Sequence, residues 1–256
     1  MLHQIEVTTK CNYRCFYCAG RAMAQRHMSD ATMEGVLARL APGRHVVSLQ
    51  GEGEPTLHRK FWDWAERLLR AGYLPYTITN GSVIDPDLAH RLLGNLGFSL
   101  DTVDADEAEC IGRLNLSRAL ANLDKLLARM GPERIIIHTV DYGQAMEGLL
   151  VHLRQRGLRR HIIQPLQPKA DYARHYARHF PDPRQASDPP VTCAGPCGFL
   201  AGQRMRFFDV DGKELPCCFI KDASTYPGRE ALREQMVAGR VPAVCLGCAE
   251  APRAAP

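Results

Sequence analysis

The chain has 256 residues, 45% of them hydrophobic and 23% charged, with a net charge of +4, which suits one large folded domain or one plus a small appendage and excludes a disordered chain. No apolar run nears the roughly 18 residues of a membrane span, and the start, MLHQIEVTTK, lacks the charged-then-apolar order of a secretory signal, so a cytoplasmic protein without membrane contact is expected. The charge is too mild and too mixed to imply nucleic acid, and the basic group Arg154, Arg156, Arg159, Arg160 and His161 reads as a solvated helix end.

In chain order, short β-type runs alternate with amphipathic segments over the first two-thirds. Strands are expected at 5–8, 46–49, 76–79, 98–100, 135–140 and 162–164, and helices at 30–40 (capped by Ser29), 60–71, 86–93, 117–130 and 144–156. Six β-then-α units with short connections imply parallel strands and right-handed crossovers. They are too few for the eight-stranded barrel, so the predicted fold is α/β, a partial (β/α)6 TIM-like barrel over residues 1–165 with ligands at the C-terminal strand ends. Residues 165–192 then carry six prolines, and 166–192 reads as a connector. Within it YARHYARH stripes Tyr172, Tyr176 and Phe180 along one side of a short helix, with His175 and His179 on a solvated face rather than on a metal. Residues 193–256 form a small cysteine-rich unit whose hairpin signal, MRFFDVDGKELPCC, turns at Asp211-Gly212.

Ten cysteines are the unusual count. Clustered cysteines in a chain without a signal peptide point to metal binding or catalysis rather than to disulfides. Cys110 stands apart as a bystander. Cys11, Cys15 and Cys18 lie in the loop after the first strand, with no fourth cysteine nearby and the next histidine at His27. A structural zinc site closes with four ligands. Three thiolates on a cubane iron–sulfur cluster instead leave one iron open to a substrate or cofactor.

CxxxCxxC with Tyr17 before its last cysteine resembles the signature of the radical S-adenosylmethionine (radical SAM) superfamily. Three further stretches agree in order. LQGEGEPTL resembles the family's GGEP motif at Gly53, Glu54 and Pro55, with Glu52 standing where the first glycine is usual; TITNGS is similar to its ITNG stretch at Asn80; and SLDTVDADEAECIGR resembles its region of Ser99, Asp101 and Arg113 near the cofactor's ribose and carboxylate. The resemblance covers roughly residues 4–165. It implies a [4Fe–4S] cluster on Cys11, Cys15 and Cys18 whose open iron chelates S-adenosylmethionine, reductive cleavage to a 5′-deoxyadenosyl radical, and an electron donor such as flavodoxin or ferredoxin.

The later cysteines resemble the family's C-terminal SPASM extension or its shorter twitch form. Fourteen residues separate Cys197 from Gly212, four separate Gly212 from Cys217, and Cys245 and Cys248 form a CxxC. With no cysteine after Cys248, the resemblance implies one auxiliary [4Fe–4S] cluster on Cys197, Cys217, Cys245 and Cys248, with Cys193 and Cys218 as possible replacements for Cys197 and Cys217. A zinc ribbon uses the same ligand types. A fully protein-ligated cluster suits electron transfer.

The layout is similar to that of the superfamily's dehydrogenases that oxidise a secondary alcohol of an aminocyclitol, so a two-electron oxidation of a small cyclitol or sugar-like substrate is expected. The alternative is a peptide-modifying maturase, for which the ten residues before Cys11 leave a leader-peptide reader to a separate protein. A third reading is a non-catalytic iron–sulfur or zinc scaffold. Asp141 and Tyr142, after the fifth expected strand, and groups next to Gln164 are candidates for a substrate base that the sequence leaves unassigned.

Overall fold

The computed structural model describes residues 2–167, 192–202, 205–221 and 227–252. The expected helix striped by Tyr172, Tyr176 and Phe180, with His175 and His179, lies outside them. The described strands are β1 (Leu2–Ile5), β2 (Val46–Leu49), β3 (Leu74–Tyr76), β4 (Ile78–Thr79), β5 (Leu96–Ser99), β6 (Ile135–Asp141), β7 (His161–Pro165), β8 (Met205–Phe208) and β9 (Glu214–Leu215). The helices are α1 (Asp30–Leu37), α2 (Phe61–Arg70), α3 (Pro86–Leu92), α4 (Ala105–Ile111), α5 (Leu116–Met130), α6 (Glu147–Gln155) and α7 (Arg229–Val237).

The strands form two sheets, in the orders β3-β2-β1-β8-β9 and β4-β5-β6-β7, in which only β8–β9 is antiparallel. This is the α/β, partial TIM-like barrel expected. The six-unit strand plan holds with two corrections. The first strand is Leu2–Ile5 rather than 5–8, because beyond Glu6 the chain leaves β2 and pairs with its own return segment: Val7 accepts from Met28 N and Thr9 N donates to Arg26 O. The strand expected at 76–79 is two short ones in different sheets. Pro75 brings no N–H to a ladder, which suits the edge position of β3. Thr77, fully buried, joins the sheets: its hydroxyl donates to Leu49 O at 2.7 Å and its carbonyl accepts from Gly97 N at 2.9 Å.

The helices cover the outer faces of the strands. Ile5, Leu49, Phe98 and Ile137 are buried in one core with Met33, Phe61, Leu68 and Leu123. Caps start several of these helices as the sequence implies: Ser29 accepts from Thr32 N, and Asp85 accepts from Asp87 N and Leu88 N. Helix α4 has no counterpart in the sequence reading; Asp104 caps it and Gly112, at φ +96, ends it. Cys110 is exposed on it. Of the basic residues near α6, Arg156 pairs with Asp124 and Arg160 with Asn95 and the Glu133 carbonyl, while Arg154 and Arg159 are exposed. Among the described residues no helix is long and apolar enough to cross a membrane.

One feature follows the expected C-terminal plan and a second was not expected. The hairpin β8–β9 turns through Asp209–Lys213, with Gly212 at φ +76. Strand β8 also pairs in parallel with β1, Leu2 opposite Met205 through Ile5 opposite Phe208, so it extends the first barrel sheet.

Between the sheets, Tyr76 Oη and His138 Nε2 meet at 3.1 Å. Burial lowers His138 from 6.5 to about 4, so the ring is neutral at physiological pH. As pH falls, the unfolded chain binds a proton at this residue first. The stability His138 contributes is therefore complete above about pH 6.5 and lost progressively toward pH 4. We expect the urea midpoint to fall over that window by an amount equivalent to about 2–3 kcal/mol from this residue, and His138→Gln to flatten that part of the slope.

Candidate active site

The loop carrying CNYRCFYC is held at both ends. At its stem, Thr8 bridges His27, the Thr8 hydroxyl donates to Arg26 O at 3.0 Å, and the Thr9 hydroxyl donates to Ala24 O at 2.6 Å while accepting from Arg26 N at 2.9 Å. At its crest, Arg14 N donates to Gly112 O at 2.9 Å and Phe16 N to Ile111 O at 3.0 Å, so the loop rests on the end of α4. A Cβ at Gly112 would stand 2.4 Å from Arg14 O, so this close approach needs glycine.

Cys11, Cys15 and Cys18 line one cavity of about 480 Å³, shared with Arg14, Arg21 and Glu52. Tyr13 N and Asn80 Nδ2 lie 3.4 and 3.8 Å from the Cys11 sulfur, and Cys18 Sγ lies 3.5 Å from Glu52 Oε2. Burial pushes Cys11 up to about 11 and raises Cys15 and Cys18 as well, with Arg113 drawing Cys15 partly back. Thiolates at such a place need a positive charge brought to them, which a metal centre supplies. Among the described residues no three His, Cys, Asp or Glu side chains converge as on a single ion. An iron–sulfur cubane spreads its thiolates over separate irons, so its ligands stand further apart.

The GEP stretch is fixed by Glu54, which is 2% exposed. Its Oε1 accepts from Thr56 N (3.1 Å), Thr56 Oγ1 (2.5 Å) and Thr79 Oγ1 (2.7 Å), and its Oε2 from Asn80 N (2.7 Å). Pro55 is buried behind it and begins the short turn Pro55–Leu57. Gly53 passes the loop stem so closely that a Cβ would lie 2.5 Å from Thr8 O. Asn80 in turn donates to Asn12 Oδ1 at 3.0 Å and accepts from Ser82 N at 2.9 Å.

Opposite, a buried ionic group backs Cys15. Arg113 and Asp101 pair at 2.8 Å with side chains 9% and 0% exposed. Tyr17 donates its hydroxyl proton to Asp101 and accepts from Arg113 at 2.9 Å. Arg113 also donates to Ser99 O at 2.8 Å, and the other Asp101 oxygen accepts from Val140 N at 2.8 Å. Tyr142 stacks on Tyr17 and donates to Glu107 at 3.0 Å. Burial, then Glu107, pushes its phenol far above the ordinary range, so it keeps its proton. Asp141, at the end of β6, is exposed.

The later cysteines form a second core. Cys193, Cys197, Cys217 and Cys245 are buried together with Leu200, Phe207, Leu215 and Met236, while Cys218 packs against that core and Cys248 is partly exposed. Cys193 donates to Met236 O at 3.6 Å.

Residues 5–155, which carry the front cysteines, the GEP stretch, Asn80 and the Asp101–Arg113 pair, match the Radical SAM superfamily. The chain belongs to the radical SAM superfamily. Membership implies S-adenosylmethionine and a [4Fe–4S] cluster as its cofactors. The S-adenosylmethionine-dependent nucleotide dehydratase of Thermoplasmatales archaeon (strain ISO4-H5) is 36% identical over 115 residues, 43% of this chain and 41% of that protein. The GTP 3′,8-cyclase of Marinobacter nauticus is 32% identical over 133 residues, 47% and 39% respectively. The chain thus spans about two-fifths of the length of these curated relatives. Among solved structures, Streptococcus suis SuiB bound to precursor peptide SuiA aligns with a TM-score of 0.62 at 13% identity, over 91% of this chain and 64% of that one. BtrN in complex with AdoMet and 2-DOIA aligns with a TM-score of 0.51 at 12% identity, over 93% and 87%. At those identities the likeness is one of fold.

The residues present fit the superfamily's cluster. Three soft ligands face one cavity, desolvated enough to need a cation, and backbone and threonine hydrogen bonds pin the surrounding loop. Asn12, Ser82, Glu6 and Lys221 complete the surroundings without having been foreseen. Lys221 Nζ lies 2.6 Å from Glu52 Oε1, and the Glu6 carboxylate accepts from Glu52 N at 2.8 Å.

Removing one partner of a buried pair leaves the other charge unmatched. Asp101→Asn should lower stability by about 3–5 kcal/mol, read from urea unfolding. The conservative exchange Tyr17→Phe, which leaves the ion pair intact, should lose about 1–2 kcal/mol.

Proposed function

We propose that this radical SAM protein is an oxidoreductase that dehydrogenates a secondary carbon of a small polar substrate, of aminocyclitol or sugar-like type, with a second cluster in the C-terminal region. The observation that carries this reading is the second core, where four buried cysteines pack in one unit on strand β8, beside the strand that feeds the front loop. When bound, a cluster on Cys11, Cys15 and Cys18 with S-adenosylmethionine would supply hydrogen-atom abstraction from the substrate, and a cluster held by Cys197, Cys217, Cys245 and Cys248 would supply the second one-electron oxidation, the proton passing to solvent or a base.

In this reading Cys11, Cys15 and Cys18 hold the front cluster, and Cys197, Cys217, Cys245 and Cys248 hold the auxiliary one. Residues 1–165 make the radical SAM domain, 166–192 the connector and 193–256 the auxiliary domain of SPASM or twitch type. Cys193 commits its sulfur to the Met236 carbonyl, which favours Cys197 as ligand. Gly53, Glu54, Pro55 and Asn80 shape one side of the cofactor's bed, Glu54 through hydrogen bonds that fix the loop rather than through a free carboxylate. Tyr17, Ser99, Asp101 and Arg113 shape the other, with Arg113 held in place by Asp101. Tyr142 keeps its proton and so serves as a wall of the site rather than as its base. A flavodoxin or ferredoxin delivers the reducing electron.

The likeness in extent to BtrN, whose solved complex holds 2-DOIA, supports a small-molecule substrate. A second reading, action on a nucleotide, draws on the two curated relatives, a nucleotide dehydratase and a GTP cyclase.

Anaerobically reconstituted protein should carry about eight irons, and reduction with S-adenosylmethionine should release 5′-deoxyadenosine. Replacing Cys11, Cys15 and Cys18 with Ala should leave about four irons and abolish that release. Zinc in place of iron, or no cofactor cleavage under strong reductant, overturns the proposal. Mass spectrometry of candidate substrates separates the reactions. Loss of two hydrogens from a cyclitol supports dehydrogenation, whereas loss of water or ring closure on a nucleotide, or a modified peptide, replaces it.

A further inference from the structure

Glu52 puts a carboxylate where a negative charge is costly. Its Oε2 lies 3.5 Å from the Cys18 sulfur. The two segments pack closely here, since a Cβ on Gly20 would stand 2.8 Å from both the Glu52 carbonyl oxygen and its Cβ. The charges bearing on Cys18 are those of Glu52, Cys15 and Cys11, all negative. As a cluster ligand Cys18 is a thiolate, and a bare carboxylate at that distance repels it.

The compensating charge comes from the C-terminal region. Lys221 Nζ sits 2.6 Å from Glu52 Oε1, with side chains only 16% and 14% exposed. Below them Glu6, 5% exposed, accepts the Glu52 N–H. Burial raises the Glu6 carboxyl and the Lys221 ammonium draws it back. Lys221 also stands three residues after Cys218, and its charge opposes the effect of burial on that thiol. One ammonium therefore pairs with Glu52, with Cys18 one carboxylate away, and it is carried three residues after Cys218 in the chain.

We propose that Lys221 is a positioning residue for redox chemistry shared by the two cysteine centres: it neutralises Glu52 beside the front centre, lies next to the back one, and sets the potential at which each takes an electron. For the back centre this rests on the two-cluster reading above; for the front centre it needs only the superfamily's own cluster. A nearby cation favours the more negative, reduced form of a cluster, and a nearby anion opposes it. Glu52 in place of glycine makes the front centre harder to reduce, and Lys221 offsets that.

The test compares anaerobically reconstituted wild type, K221M, K221R and E52Q by iron and sulfide content, then by potentiometric titration followed by electron paramagnetic resonance. K221M should shift the front centre's reduction equilibrium about tenfold toward the oxidised form, roughly 59 mV for a one-electron couple. E52Q should shift it by a similar amount in the opposite direction, and K221R should stay near wild type. Potentials that do not move in K221M and E52Q at unchanged iron content overturn the proposal, as do shifts of the same sign in both. If K221M fails to hold iron, E52Q decides alone: a rise supports the role, and no change or a fall overturns it. About four irons in the wild type would remove the two-cluster reading, while the front-centre titration would still decide the role of Lys221 there.

Discussion

A carboxylate can be buried only if its lone pairs are met by donors, and in Glu54 that requirement organises the whole front of the molecule. Four donors from Thr56, Thr79 and Asn80 converge on it. They tie the loop after β2 to the loop after β4, across the point where Thr77 carries the chain from one sheet to the other. Asn80, held by that carboxylate, reaches Asn12 and the sulfur of Cys11. The position of the first front thiol is thus set by a side chain more than 40 residues later in the chain. Such a network is stiff because no member can leave without exposing another.

Two cations flank the front thiols from different parts of the chain. Arg113 acts from the end of α4 through Tyr17 and Asp101, and Lys221 acts from the cysteine-rich region through Glu52. Both are held by carboxylates, so neither is free to swing toward solvent. Fixed dipoles and charges of this kind do their work without rearranging when charge changes at the centre they face.

The parts of this arrangement that depend on local pattern were legible in the sequence. Strand β2 falls on the expected residues, α2 and α5 lie within a residue of theirs, and the Asp211-Gly212 turn stands where its dipeptide signal puts it, because periodicity and turn chemistry are properties of short stretches. The front cysteines were legible as one set for the same reason. What escaped depends on partners distant in sequence. Strand β1 stops at Ile5 because the segment at Arg26–Met28 competes for the chain beyond it. The run at 76–79 breaks because Thr77 serves two sheets. Helix α4 is seven residues with only Ala108 and Ile111 buried, too short for a periodic signal. The Glu52–Lys221 pair joins residues 169 apart, and nothing local announces it.

The pairing of β8 with β1 has a consequence for how the molecule comes to exist. Leu2 lies opposite Met205, so the first sheet is completed only by a strand some 200 residues downstream. Closing a loop of that length carries a large entropic cost before any contact rewards it, and contacts of this kind slow folding. During synthesis β1 keeps one edge bare beside β2 until the segment that carries β8 has emerged. Its ladder partner then arrives from the same region that supplies Lys221. The front pocket and the second core are therefore finished in one late event, and a nascent chain has a long interval in which its thiols are present but not yet enclosed.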